Sequence, residues 1–274
     1  MTSDASSTDT ATEAPPAAPA EPFDPTVIKT VAFDGYGTLF NFANTDFHRA
    51  ITVILAEQKV ETDIDAFFEK WVSSYGKAGV WADESRHLER PDHQHVLNGP
   101  LPAWYSTREI WRRQFGVAFE HFGLTGDGQA AADYLSHELS LVDPYPDAHD
   151  TVEALAQSGY LVALLSNADE DFLQSALSRG RLRFSIIQSS ESLRAYKPHR
   201  AIFEALCQRA ACEPHEVLYV GDSANADVSG AQNAGLRTAW VRRDEKPLPE
   251  RVRPPDITID QLAELVPILC GGRS

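Results

Sequence analysis

Val27-Ile28-Lys29-Thr30-Val31-Ala32-Phe33 runs directly into Asp34-Gly35-Tyr36-Gly37-Thr38-Leu39. The first seven residues are β-branched or apolar, apart from one lysine, and they stop at an aspartate followed by two glycines, at 35 and 37. That pattern predicts a buried strand followed by a tight turn. An aspartate at a strand end commonly does no more than stabilise its turn. Here the two glycines also let the backbone come close to a ligand, so Asp34 is a candidate metal ligand or covalent nucleophile.

Beyond this strand the chain changes character twice. From about Asp46 to Leu141 the apolar residues recur at helical spacing: Ile51, Ile54 and Leu55; Phe67, Phe68, Trp71 and Val72; Ile110, Phe115, Phe119 and Phe122. Ala131–Leu139 reads as a further helix. Arg86–Pro102 is polar, holds Pro91, Pro100 and Pro102, and reads as a loop. His93 and His95 fall in that loop without metal-ligand spacing. Trp104, Trp111 and Phe115 read as core rather than as a ligand cage.

After Asp143-Pro144-Tyr145-Pro146 strands and helices alternate. Helices are expected at 148–157, 170–178, 200–209 and 226–234, and strands at 160–165, 184–188, 217–220, 238–241 and 257–259. This alternation predicts an α/β fold, a doubly wound and mostly parallel, Rossmann-like sheet covered on both faces. Residues 26–45 and 142–274 would form that core, and residues 46–141 a helical cap inserted after the first strand. Sites in such sheets lie beyond the carboxyl ends of the strands.

Composition narrows the functional classes. The 274 residues carry 40 acidic and 24 basic side chains, a formal charge of −16. A sequence-independent nucleic-acid binder needs a basic face, and docking on anionic lipid needs one too. No apolar run approaches the ~20 residues of a membrane span. Cys207, Cys212 and Cys270 lack metal-ligand spacing and read as free thiols. Residues 1–25 hold five acids, no base and little to bury, which predicts a disordered tail. That tail has neither the basic nor the apolar region of a secretory signal, so a cytoplasmic location is expected. Gly35-x-Gly37 lacks the third glycine of a dinucleotide fingerprint.

Three more polar clusters follow expected strands. Ser166-Asn167 suits a helix cap, and equally supplies donors for an oxyanion. Lys197, before Pro198, is the only lysine between Lys77 and Lys246; a lone cation there can pair with Asp34 and with an anionic substrate. Gly221-Asp222-Ser223 is followed by Asp227. Two carboxylates at one strand end repel unless a cation lies between them, and hard oxygen donors suit Mg²⁺, although Asp227 could equally cap its helix.

The order and composition of these four segments resemble the haloacid dehalogenase-like hydrolase superfamily over about Val27–Val241, with the insert placed like that family's C1 cap. Asp34-Gly35-Tyr36-Gly37-Thr38-Leu39 looks like its first motif, Leu165-Ser166-Asn167 the second, Tyr196-Lys197-Pro198 the third, and Gly221-Asp222-Ser223 with Asp227 the fourth. The resemblance implies that Asp34 is the nucleophile, with Lys197 as its catalytic partner. Thr38, Ser166 and Asn167 would hold the transferring group. Asp34, the Tyr36 carbonyl, Asp222 and Asp227 would hold Mg²⁺.

One position departs from the phosphatases of that superfamily. Their second aspartate, the general acid two residues after the nucleophile, is here Tyr36, as in the L-2-haloacid dehalogenase branch, so Tyr36 is either a substitute acid or structural. The other dehalogenase features are not met. Asp222 stands where that branch has a small polar residue, Phe203 where it has a tyrosine, and no arginine lies within Asp63–Lys77 to grip a substrate carboxylate. The expectation is therefore a Mg²⁺-dependent phosphatase acting on a small phosphorylated metabolite. The alternatives are an (S)-2-haloacid dehalogenase, or a catalytically poor binding protein on the same fold. The expected partner is a small-molecule substrate rather than nucleic acid or membrane, with a homodimer left open.

Overall fold

The computed structural model describes residues 22–75, 93–243 and 247–271, with only the backbone of 93–95. The expected tail lies outside these residues up to position 21, as do Lys77, Lys246 and the early part of the expected 86–102 loop; the side chains of His93 and His95 are likewise not described. The last residues of the expected tail belong to the fold. Phe23 packs against the main core, and Asp24 caps the 3₁₀ turn Pro25–Val27 by accepting from the Thr26 amide at 2.9 Å.

Six strands form one all-parallel sheet: β1 (Thr30–Phe33), β2 (Leu161–Ser166), β3 (Ile186–Ser189), β4 (Val217–Gly221), β5 (Arg237–Val241) and β6 (Ile257–Ile259). Their spatial order is β3-β2-β1-β4-β5-β6. The chain therefore winds one way from β1 to β3 and the other way from β4 to β6, so the crevice at the strand ends opens between β1 and β4. Every residue of β1 is buried, which its continuous apolar run requires once helices cover both faces. Val31 and Phe33 face one cluster, with Leu155 of α6 (Ala148–Gln157); Ala32 faces the other, with Ile202, Phe203 and Leu206 of α9 (Arg200–Ala210).

The expected strands and helices of the core recur within two or three residues, with two local corrections. Val27 belongs to the 3₁₀ turn, and the strand starts at Thr30. The expected helix 226–234 is a π-helical turn, Ala224–Ser229, leading into the short α10 (Gly230–Asn233). A π turn accommodates one residue more than an α turn and recurs at functional sites.

Between β1 and α6 the described residues form helices α1 (Asn44–Glu57), α2 (Ile64–Ser73), α3 (His93–Asn98), α4 (Thr107–His121) and α5 (Gly128–Ser140), in the stretch expected as the insert. α1 starts at Asn44, two residues ahead of position 46. α3 corrects the reading of 86–102 as loop throughout; its backbone is helical ahead of Pro100, which cannot continue a helix. Phe67, Phe115, Phe119 and Phe122 pack ring on ring inside the insert, and Trp111 stacks 5.7 Å from Phe172 of α7 (Glu170–Gly180). Trp111 and Phe115 are core, as read; Trp104 is not, being half-buried with the Arg194 guanidinium 5.5 Å above its ring.

The insert rests on the carboxyl ends of the strands. Asp169, just after β2, caps α4 by accepting from the Thr107 and Arg108 amides at 2.7 and 3.0 Å. Beyond β3 the Tyr196 hydroxyl donates to the Tyr105 carbonyl at 2.8 Å, and His199 Nε2 lies 2.8 Å from the Gly99 carbonyl oxygen. Cys207, Cys212 and Cys270 are free thiols, and no described helix is long and apolar enough to cross a membrane.

Candidate active site

Register builds the site. Phe33 of β1 lies beside Leu164 of β2 and Val220 of β4. One or two steps further on, the three central strands therefore deliver Asp34, Ser166 and Asp222 to the same edge. In-register parallel strands bring together residues that are far apart in sequence.

Lys197 stands at the centre. Its Nζ donates to Asp34 Oδ1 at 2.5 Å, to Asp227 Oδ1 at 2.7 Å and to the Tyr219 hydroxyl oxygen at 2.9 Å. Its side chain is only 3% exposed, so its three donors are met by protein groups in place of water. Burial opposes the charge on this ammonium, but Asp227 and Asp34 outweigh burial and hold the Lys197 pKa well above its ordinary value. Lys197 is thus a fixed cation. Its backbone is gripped on both sides: Asn167 Oδ1 accepts from the Lys197 amide at 2.8 Å, and Asn167 Nδ2 donates to the Lys197 carbonyl at 3.1 Å. Both polar atoms of the Asn167 side chain are thus engaged with the lysine backbone. Its amide orients the lysine.

One ligand atom each from Asp34, Asp222 and Asp227 lies within 4.8 Å of the others. Three carboxylates face one ammonium, and the imbalance falls on Asp222. Burial first, then Asp227 and Asp34, push its pKa up to about 8. Burial also raises Asp34, as does Asp227, against the pull of Lys197, to about 6. The donor set therefore fits a hard divalent cation: two buried carboxylates and one half-buried, crowded together and short of positive charge. The four candidate ligands are not equal in this respect. Asp227 has both oxygens engaged, Oδ1 by Lys197 and Oδ2 by the Ser223 amide at 2.9 Å. Asp222 accepts from the Thr38 hydroxyl at 3.0 Å through Oδ1 alone.

Thr38 thus sits beside the metal-ligand candidates. The Ser166 hydroxyl adjoins the turn that follows Asp34, since a Cβ on Gly35 would stand 2.8 Å from Ser166 Oγ. Tyr36 points elsewhere. Its hydroxyl donates toward the Leu139 carbonyl at 3.2 Å and the Phe172 carbonyl at 3.4 Å, and its ring packs among Phe40, Phe42 and Phe172. Burial, then Asp34, raises its pKa far above the ordinary tyrosine value. Of the two roles read for Tyr36, this geometry fits the structural one. Phe203 meets Tyr219 edge to face at 5.1 Å inside the core.

Tyr219 escaped the sequence reading. It is 1% exposed, takes one donor of Lys197 and donates to the Leu165 carbonyl at 2.8 Å. The available signal was its place in an otherwise apolar strand, where a buried hydroxyl requires partners. Asp169 escaped for the same reason as most inter-element caps: it caps a helix 62 residues before it.

An α/β enzyme of the hydrolase class is what this fold and this strand-end cluster define. Residues 28–235 match the family model described as haloacid dehalogenase-like hydrolase. The chain belongs to that family. It is 31% identical over 247 residues to (S)-2-haloacid dehalogenase 1 of Pseudomonas sp. (strain CBS-3), covering 88% of this chain and 96% of that protein. It is 29% identical over 215 residues to phosphoglycolate phosphatase 1 of Pseudomonas aeruginosa, covering 75% and 73%. A crystal structure of a dehalogenase with an intermediate complex superposes with a TM-score of 0.66 at 26% identity, covering 89% of this chain and 97% of that one.

Proposed function

We propose that this hydrolase is a Mg²⁺-dependent phosphatase acting on a small phosphorylated metabolite through a covalent intermediate on Asp34. The observation that carries this reading is Asp222: a half-buried carboxylate beside the buried Asp34 and Asp227, with one lysine among the three. Mg²⁺ held by Asp34, Asp222 and the Tyr36 carbonyl, with Asp227 at its edge, would supply positive charge against the oxygens of the transferring group.

The chain's own groups do the rest. Asp34 attacks phosphorus through a carboxylate oxygen, the ester P–O bond breaks, and the leaving oxygen takes the electron pair and then a proton from water. Water then attacks the aspartyl phosphate at phosphorus, which frees inorganic phosphate and restores the carboxylate. Lys197 favours the ionised form of Asp34 and offsets phosphate charge that would repel it. Thr38 and Ser166 supply hydroxyl donors at the same edge, and Asn167 holds Lys197 in place. The insert, resting on the strand ends, would shield the site from bulk solvent while the hydrolytic water enters.

A second reading, (S)-2-haloacid dehalogenase, is favoured by Tyr36. A halide leaves without a proton, so the absence of a carboxyl acid two residues after Asp34 is no handicap to it, and relatives bearing that name match most of the chain. A paired assay on one preparation separates the two. Phosphate release from a panel of phosphorylated metabolites, with Mg²⁺ or EDTA, is measured beside halide release from (S)-2-chloropropionate. Phosphate release abolished by EDTA supports the phosphatase; halide release that persists in EDTA, with no phosphate released, overturns it.

A further inference from the structure

Arg243 lies two residues past β5, at the same edge of the sheet as Asp34 and Asp222. One of its terminal nitrogens donates to the Thr38 carbonyl at 2.8 Å, and its guanidinium lies 3.7 Å above the Tyr145 ring. Its Nε is buried and has no hydrogen-bond partner. Buried donors are nearly always satisfied, so an orphan on a charged group marks a side chain held in place by something other than its own solvation. The two contacts that hold it are both on the chain segments joining core to insert. Thr38 is on the outgoing segment and Tyr145 on the returning one. Those segments are laced together by Tyr145 N–H to the Leu39 carbonyl at 2.8 Å and Asn41 N–H to the Asp143 carbonyl at 3.0 Å.

We propose that Arg243 is a positioning residue of the active site: by holding the Thr38 carbonyl it fixes the turn that aims the Thr38 hydroxyl at Asp222. A planar guanidinium can stack on Tyr145 and donate to Thr38 at once; a lysine ammonium is a point charge and cannot do both. The proposal concerns the turn itself and does not depend on which bond the enzyme hydrolyses.

The test compares Arg243→Lys and Arg243→Gln with the wild-type chain by hydrogen–deuterium exchange. The reporting amides are Gly37, Leu39 and Phe40, which donate within the turn at 2.8–2.9 Å. Both variants should speed exchange over residues 35–40 by about tenfold, as loss of one hydrogen bond from a charged donor predicts, with peptides covering β2 unchanged. Unaltered exchange over 35–40, or uniform acceleration across the protein, overturns the proposal. A double-mutant cycle adds a readout that a purely structural arginine would not move. Mg²⁺ affinity is measured by calorimetry for Arg243→Gln, Thr38→Val and the pair. If Arg243 acts through Thr38, the pair should bind no worse than Thr38→Val; additive losses overturn it. This arm rests on the proposed metal site. Failure of the wild-type chain to bind Mg²⁺ would sink that reading and leave the exchange result to decide the role of Arg243.

Discussion

A Cβ built on Gly37 would stand 2.6 Å from Oδ2 of Asp222. The missing side chain of one motif is therefore the space in which the carboxylate of another sits. Gly37 also has φ +94°, in the left-handed region where an L side chain is strained. Gly37→Ala should fold with a lowered thermal midpoint and displace Asp222. Mg²⁺ affinity measured by calorimetry should fall at least about tenfold, since few anionic ligands share the ion. Wild-type affinity in this variant would mean that Asp222 does not hold metal.

Asp34→Asn keeps the size of the side chain and removes the attacking charge. Turnover should fall by roughly 10³-fold or more, as when other covalent nucleophiles are removed. Burial already disfavours the charge on Asp34, and Lys197 keeps Asp227 as a partner. The thermal midpoint should accordingly stay near that of the wild type. Near-normal turnover in the folded variant would exclude the covalent mechanism.

Acidity should show in stability. The folded pKa values of Asp34, about 6, and Asp222, about 8, lie above the ordinary 3.8, so the folded chain binds more protons than the unfolded chain in this range. Their contribution is complete below about pH 4 and is lost as pH rises through about 6 and 8. Lys197, raised well above its ordinary value, stays charged throughout. In EDTA the thermal midpoint should therefore fall between pH 6 and about pH 8.5. Added Mg²⁺ should restore it most at the upper end, where Asp222 has no proton to give up. A midpoint that is flat in EDTA and insensitive to Mg²⁺ would show that the three carboxylates are compensated without metal.

Tyr36→Phe separates structure from acid catalysis. Removing the hydroxyl deprives the Leu139 and Phe172 carbonyls of their donor. A loss of about 1 kcal/mol, or about 2–4 °C in midpoint, is expected. Turnover should stay within about threefold of wild type if the residue is structural. A fall of about 10²–10⁴-fold at unchanged stability, the usual range for a positioned general acid, would make Tyr36 the proton donor.

Much of this protein is written locally. The apolar run ending at Asp34, the helix and strand periods after Pro146, and a polar cluster behind each strand are properties of a few neighbouring residues. They suffice for an α/β sheet with a helical insert and for naming Asp34, Ser166, Lys197, Asp222 and Asp227; Thr38 came only with the family resemblance. The errors are local too. The helix at 93–98 sits among prolines that read as loop. The π turn at 224–229 overlaps the α-helix expected at 226–234, and composition does not separate the two, because which carbonyl an amide reaches depends on what the helix packs against.

What the sequence could not settle is partnership across distance. Nothing near Asn167 says that its amide grips the backbone of Lys197, 30 residues away. Nothing near Tyr36 directs its hydroxyl to Leu139 across 103 residues, nor Arg243 to Thr38 across 205. Those pairings follow from the strand order β3-β2-β1-β4-β5-β6 and its register. Burial and periodicity select which residues face inward. Only the closed sheet, with the insert laid over its strand ends, selects which inward-facing polar atom each one meets, because a buried donor must find an acceptor in the particular space the fold leaves it.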